Sequence, residues 1–325
     1  MSALTGNTRT LPGGFKALVT GEHAVLGGIV VLVIAYFAIT APVFLSGRNV
    51  SNLASSIAVL AILAVGQTFV IISGGIDISI AAQVGFLSIV AVDLSHAVPY
   101  GAALLLVVGL GALIGLVNGI MIAWVKVSPI ITTVAMLQVL TGLSLVLTGG
   151  QPRRNFDPAY TALGTGSFLG IPSIALLAAA VMILGALLLN RAALGRYAIA
   201  IGGNSEAARL SGIKVKPYTV ATYVLNSVFV AVAAIALSSR TGSGLPDLGA
   251  GIEITTIAAV FIGGVAWGGG RGSILGVLLG VLLIGIIGNG LDLNSVNSHI
   301  QVIITGLLMA AAVALGMLRG RSVTR

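Results

Sequence analysis

Charge is absent from ten long stretches of this sequence, and that feature dictates the solvent in which the chain must fold. The stretches centre on residues 24–41, 53–72, 78–92, 98–124, 130–147, 171–189, 218–237, 254–267, 274–290 and 300–318. They are apolar all round rather than along one stripe, so helices built from them have no face to offer water. About 20 such residues cross the hydrocarbon of a bilayer as a helix, with shorter spans where glycine or proline interrupts. Only 7% of the 325 residues are charged, 57% are hydrophobic, and the mean hydropathy is +1.13, too little polarity to clothe a water-soluble domain. The sequence predicts an all-α integral membrane protein, a polytopic bundle of about ten transmembrane helices with some broken or short.

The net charge of +8 lies between and beyond these stretches. Alternating sides from the basic N-terminus puts twelve cations inside: Arg9, Lys16, Lys126, Arg191, Arg196, Arg209, Lys214, Lys216, Arg271, Arg319, Arg321 and Arg325. Arg48, Arg153, Arg154 and Arg240 fall outside. That asymmetry makes both termini cytoplasmic. Residues 1–23 then form a cytoplasmic tail, 24–318 the transmembrane domain and 319–325 a second tail. The first apolar run is too long for a signal-peptide core and is read as an uncleaved span. No basic stripe with interleaved aromatics points to nucleic acid. With no cysteine, disulfides, thiolate catalysis and cysteine-held metals are excluded.

Two connections are long enough for structure of their own. The outer one, 149–170, contains Gly149, Gly150, Pro152 and Pro158 and reads as an irregular or re-entrant piece over the external mouth. The inner one, 190–217, contains Asn204, Ser205, Glu206, Ala207, Ala208, Arg209, Leu210, Ser211 and Gly212, which read as one complete short helix. Asn204 or Ser205 caps its start, Glu206 complements the positive end of its dipole, and Gly212 suits its stop. Two turns are not stable alone in water, so such a helix must lean on something, and Ala207 with Leu210 offers a small apolar face to a partner.

Gly264, Gly268, Gly272, Gly276 and Gly280 recur at every fourth position, as do Gly111, Gly115 and Gly119. On a helix in lipid this spacing is a packing seam, although the run 268–272 also reads as a flexible turn. Gly74-Gly75-Ile76 and Gly263-Gly264-Val265 give a faint internal echo, each followed by an Asn-Gly pair at 118–119 and 289–290. Polar residues inside the spans are few, and Gln67, Asp77, Ser79, Gln83, Asn118, Gln138, Asn226 and Glu253 are candidates for a hydrophilic translocation path. For Asp77 and Glu253 helix capping is the competing explanation, and for the glutamines interhelical hydrogen bonding is. No lysine follows a glycine, so there is no phosphate-binding loop. His23, His96 and His299 are dispersed, and no catalytic or metal-binding spacing is present.

Three blocks of sequence carry a resemblance: Gly74-Gly75-Ile76-Asp77-Ile78-Ser79; Gly195-Arg196-Tyr197 through Gly202-Gly203-Asn204 to Ile213; and Ile257-Ala258-Ala259-Val260 through Gly263-Gly264 to Gly269-Gly270-Arg271-Gly272. In this order, over about residues 50–315, the chain resembles the ribose/xylose/arabinose-type permeases of bacterial ABC importers, within the wider group of branched-chain amino acid permeases. The resemblance implies a dimer of permease subunits, identical or homologous, and ATP with magnesium on a separate ATPase subunit. It also implies a periplasmic or lipid-anchored solute-binding protein. It makes the 204–212 segment the coupling helix seated in the ATPase, with no cofactor on this chain. Ile80-Ala81-Ala82-Gln83 departs from the family's usual small continuation, which leaves the solute open among pentoses, deoxyhexoses, polyols and similar molecules. A gradient-driven transporter or channel is the rival, and a membrane scaffold a third reading. The first would favour a paired acid or ion site within a span.

Overall fold

A computed structural model describes residues 21–322; the tail carrying Arg9 and Lys16, and Arg325, lie outside them. Thirteen helices are present: α1 Glu22–Thr40, α2 Gly47–Ile72, α3 Ile80–Ala97, α4 Tyr100–Ala123, α5 Pro129–Thr148, α6 Pro158–Thr165, α7 Ser173–Arg191, α8 Ala193–Gly203, α9 Ser205–Leu210, α10 Val215–Thr241, α11 Ile252–Ile262, α12 Ile274–Leu293 and α13 Ser298–Ser322. Two short antiparallel ladders join them. β1 (Arg153–Arg154) pairs with β4 (Ser243–Gly244), and β2 (Ser167–Phe168) with β3 (Ile171–Pro172).

Every apolar stretch of the sequence contributes a helix, and among the described residues eight helices are long and apolar enough to cross a membrane. Shorter apolar helices, which the sequence allowed for, stand beside them, and one is α11, whose eleven residues rise about 16 Å, roughly half the hydrocarbon thickness. It stops because Gly263 and Gly264 close it, Gly264 turning left-handed at φ +85°. Of α13, residues Ser298–Ala311 form a shorter apolar helix; the helix itself continues to Ser322, into the segment read as a C-terminal tail.

Helix starts follow the local sequence. Ser46 and Ser273 accept the backbone N–H three residues on, Asp157 caps α6 ahead of Pro158, and Pro129 occupies the first turn of α5. The centre is α2, 94% buried along its apolar window, and α10 packs against α2, α3 and α4. By contrast α1 is only 11% buried and turns Val31, Leu32 and Ile39 outward to lipid.

Glycine decides where backbones meet. A Cβ on Gly115 would lie 2.5 Å from the Tyr223 carbonyl oxygen and 2.8 Å from Val224 Cα, and Gly111 and Gly119 are equally tight against α10. The α4 spacing is therefore a helix seam. The second spacing is not one seam: Gly264, Gly268 and Gly272 lie in the connection before α12, because Gly264, Gly269 and Gly270 all adopt positive φ and end the helix. Only Gly276 and Gly280 share α12, where they abut the carbonyls of Gly263 and Ala259.

Contacts between connections sort into two groups. On one side Arg153 lies 3.6 Å from Asp93, Asn155 donates to the Gly242 carbonyl, and Asn49 and Asn289 exchange amide hydrogen bonds of 2.9 and 3.0 Å. On the other, His23 meets Ser273 at 3.1 Å, and Gly270 N–H donates to the Ile72 carbonyl at 2.8 Å. These pairings join segments that charge alternation assigns to the same side. The outer connection is more ordered than the irregular piece the sequence suggested. Tyr160 of α6 meets Ser238 at 2.6 Å, and Gly164 N–H donates to Ser239 Oγ at 2.9 Å, pinning α6 to α10.

Adding a methyl at Gly115 should cost about 1–3 kcal/mol by overpacking, whereas Gly109 on the same helix has open space. Gly115→Ala is expected to lower the thermal midpoint of the detergent-purified protein, with Gly109→Ala unchanged; equal midpoints would show that the seam is not tight.

Candidate functional site

Between α2 and α3 the chain is not helical. Gly74, at φ +90°, reverses it, and residues 76–79 climb back into the bundle before α3 begins. Unpaired amides are costly there, and the sequence supplies their partners. Ile78 N–H donates to Thr133 Oγ1 at 3.2 Å, and Ser79 N–H donates to Asp77 Oδ1 at 2.9 Å. Asp77 thus closes a turn onto Ser79, the N-cap of α3, rather than capping the helix, which takes no side-chain cap bond. Its Oδ1 also accepts the Ser79 hydroxyl at 2.5 Å, and its Oδ2 accepts Asn226 Nδ2 at 3.0 Å and Gln83 Nε2 at 3.4 Å. The Ser79 hydroxyl in turn accepts Gln83 Nε2 at 2.8 Å and Asn118 Nδ2 at 3.1 Å.

The Asp77 carboxylate therefore joins the α2–α3 connection to α3 and α10, and the Ser79 hydroxyl it holds brings in α4. Four hydrogen-bond donors and the N-terminus of α3 balance its charge without a cation. The network is sealed: Asp77, Ser79, Gln83, Asn118 and Asn226 are each 0% exposed. Gln67 is equally buried, and neither of its side-chain amide atoms has a partner among the described residues. Thr133 and Tyr223 also belong to this region, with Gly75 lying directly under the Tyr223 hydroxyl. The sequence reading missed both, since a threonine or tyrosine in a span carries no distinguishing signal of its own.

Of the eight proposed path residues, the structure gathers Asp77, Ser79, Gln83, Asn118 and Asn226 into the network, buries Gln67 without a partner, and leaves Gln138 and Glu253 elsewhere. Gln138 is exposed on α5. Glu253 lies in the first turn of α11. Residues 244–249 run inward beside α3, Gly244 against Ser88, Gly85 against the Pro246 carbonyl, and Gly249 against Ala81. That re-entrant course starts α11 level with the first turn of α3, inside the bundle. Capping does not explain Glu253, because Gly251 is the N-cap and no side chain caps this helix. The carboxylate is partly buried, and its Oε2 has no partner among the described residues.

The 190–217 connection holds two helices where the sequence suggested one. α8 buries Gly195, Ala198 and Ile201, and α9 follows after Asn204. Asn204 Oδ1 accepts Glu206 N–H at 3.1 Å and Ala207 N–H at 2.9 Å. Arg209 donates two hydrogen bonds to Glu206, at 2.6 and 2.9 Å, and holds its exposed carboxyl below the usual carboxylate range. Gly212, at φ +84°, closes the far end: its N–H reaches the Arg209 carbonyl, and Ile213 N–H reaches that of Ala208. Ala208 is buried against the chain, while Ala207 is exposed and Leu210 is 73% exposed.

Long apolar helices, with breaks between them whose polar groups the protein itself pairs, define a multi-pass membrane protein. The chain belongs to the family described as branched-chain amino acid transport system / permease component, whose model matches residues 49–313. It is 40% identical over 291 residues to the ribose import permease protein RbsC of Bacillus subtilis strain 168, covering 89% of this chain and 90% of the relative. Against RbsC of Escherichia coli strain K12 the identity is 35%, covering 87% and 89%. Against the galactose/methyl galactoside import permease protein MglC of the same strain it is 34%, covering 90% and 94%. No solved structure gives a significant match.

Replacing Asp77 by Asn puts an N–H group among four donors and should cost about 1–3 kcal/mol. Asp77→Asn is expected to lower the thermal midpoint; an unshifted midpoint would mean that the network does not hold the helices.

Proposed function

We propose that this chain is the membrane-spanning subunit of a binding-protein-dependent ABC importer that moves a monosaccharide or sugar-like solute inward. The observation that carries the reading is α9. It is a six-residue helix, capped at both ends, that presents Ala207 and Leu210 outward from the basic face of the bundle. Six residues of helix gain little from their own hydrogen bonds, so investment in both caps serves a second surface. In this reading Asn204, Ser205, Glu206, Ala207, Arg209, Leu210 and Gly212 form the coupling helix seated in a separate ATPase subunit, which carries ATP and magnesium. The chain itself holds no nucleotide and performs no catalysis. A second permease subunit completes the pathway, and a periplasmic or lipid-anchored binding protein docks over the outer connection pinned by α6. The import of ribose and galactose named for the relatives supports a sugar as cargo.

The two carboxylates divide the work. Asp77 is closed within one subunit and acts as an architectural anchor. Glu253 keeps an unpaired oxygen at the start of a half-length helix and is the acid that solute hydroxyls reach, with Gln138 a second accessible hydrogen-bonding group.

Deleting residues 205–211 should abolish co-purification with the ATPase while membrane insertion persists. Uptake that stays ATP-coupled after the deletion would refute the coupling assignment. Glu253→Gln in the assembled importer should raise the KM for uptake about tenfold, a loss expected from one charge-assisted hydrogen bond. An unchanged KM removes Glu253 from the path. Uphill accumulation by the purified chain alone, driven by an ion gradient, would overturn the reading as a whole.

A further inference from the structure

Five glycines from three distant segments meet on the cytoplasmic side with no side chain between them. Gly202, near the end of α8, lies so close to the Ile72 carbonyl at the end of α2 that a Cβ there would overlap it. The same Cβ would sit 2.6 Å from the Gly270 nitrogen. Those two atoms are hydrogen-bonded to each other, Gly270 N–H donating to the Ile72 carbonyl at 2.8 Å, so Gly202 presses on the bond itself. A Cβ on Gly269 would lie 2.8 Å from the Ile72 carbonyl, 3.0 Å from Gly74 N and 3.1 Å from Gly202 Cα. One on Gly270 would lie 2.7 Å from Gly203 Cα. Gly74, Gly269 and Gly270 have φ of +90°, +80° and +75°, a geometry that other residues adopt only under strain.

What leaves this junction gives it meaning. Gly203 is followed at once by Asn204, the cap of α9. Ile72 leads through Gly74 and Gly75 to Asp77 and α3, and Gly269 and Gly270 lie between α11 and α12. Side chains absorb a displacement by changing rotamer. Backbone packed on backbone cannot, so a push on α9 is passed on to both breaks. Resting on the coupling-helix assignment, we propose that Gly202, Gly269 and Gly270 are positioning residues that transmit ATPase movement from α9 to the Asp77 connection and to the α11–α12 connection.

The test uses the assembled importer, with its ATPase and binding protein, in liposomes. Gly202→Ala is expected to leave ATPase association intact yet lower solute moved per ATP about tenfold, within the range of coupling between distant sites. Stimulation of the ATPase by loaded binding protein should be lost with it. Gly203→Ala, which meets nothing within 4 Å, should behave as wild type. A merely structural role would reduce assembly and leave the ratio unchanged; a wild-type ratio in Gly202→Ala overturns the proposal. Should Gly202→Ala fail to assemble, hydrogen exchange on the wild-type complex decides. The amides of Gly75 and Ile78 should change protection when a non-hydrolysable ATP analogue closes the ATPase, and unaltered exchange overturns the proposal. A wild-type chain that binds no ATPase would instead sink the function proposed above.

Discussion

A helix that stops inside hydrocarbon exposes amides and carbonyls that no water will take up, and the architecture follows from how each such break is closed. At the end of α2, Ser73, Gly74 and Gly75 donate to Phe69, Ile71 and Val70; at the end of α11, Gly263, Gly264 and Val265 donate to Ala259, Phe261 and Val260. The two terminations are the same motif, with Gly74 and Gly264 left-handed at matching positions. The faint repeat in the sequence has a backbone counterpart here. It does not extend to the asparagines, since Asn118 binds Ser79 and Asn289 binds Asn49.

Closing the first break fixes the rest of the core. The segment returning from Gly75 needs acceptors, and Asp77 and Thr133 supply them. Asp77 then needs donors, which come from α3 and α10, and its neighbour Ser79 draws on α4. Association of helices in lipid lacks the hydrophobic drive that folds soluble proteins, so a polar group shared by several helices, together with glycine seams, specifies their arrangement. The Gly111, Gly115 and Gly119 seam sets the distance between α4 and α10, and the Asp77 network sets their register.

The long helices were legible because absence of charge is a one-dimensional property, and α9 was legible because caps are local. Other features were hidden for physical reasons. α8 buries just Gly195, Ala198 and Ile201, a stripe too small and too rich in glycine to stand out beside basic residues. Asp77 could be suspected from its cost in lipid, but its partner Asn226 is 149 positions away. The four-residue glycine spacing misled at 264–272, since the spacing that makes a seam on a helix says nothing about whether glycine lets the helix continue.

The contrast between the two intramembrane acids turns on position, Asp77 lying two residues before the N-cap of α3 and Glu253 two residues after that of α11. Each lies where a helix begins inside the bundle, where the dipole favours negative charge. Aspartate is short enough to fold back onto an amide two residues along, which Asp77 does with Ser79, and that bond commits its remaining oxygen to neighbouring helices. Glu253 stands inside the first turn of α11, two residues after a left-handed glycine cap that makes no side-chain cap bond. Glu253 is consequently spared from the scaffold, its Oε2 without a partner among the described residues, and that free oxygen is what supports the solute contact proposed for it.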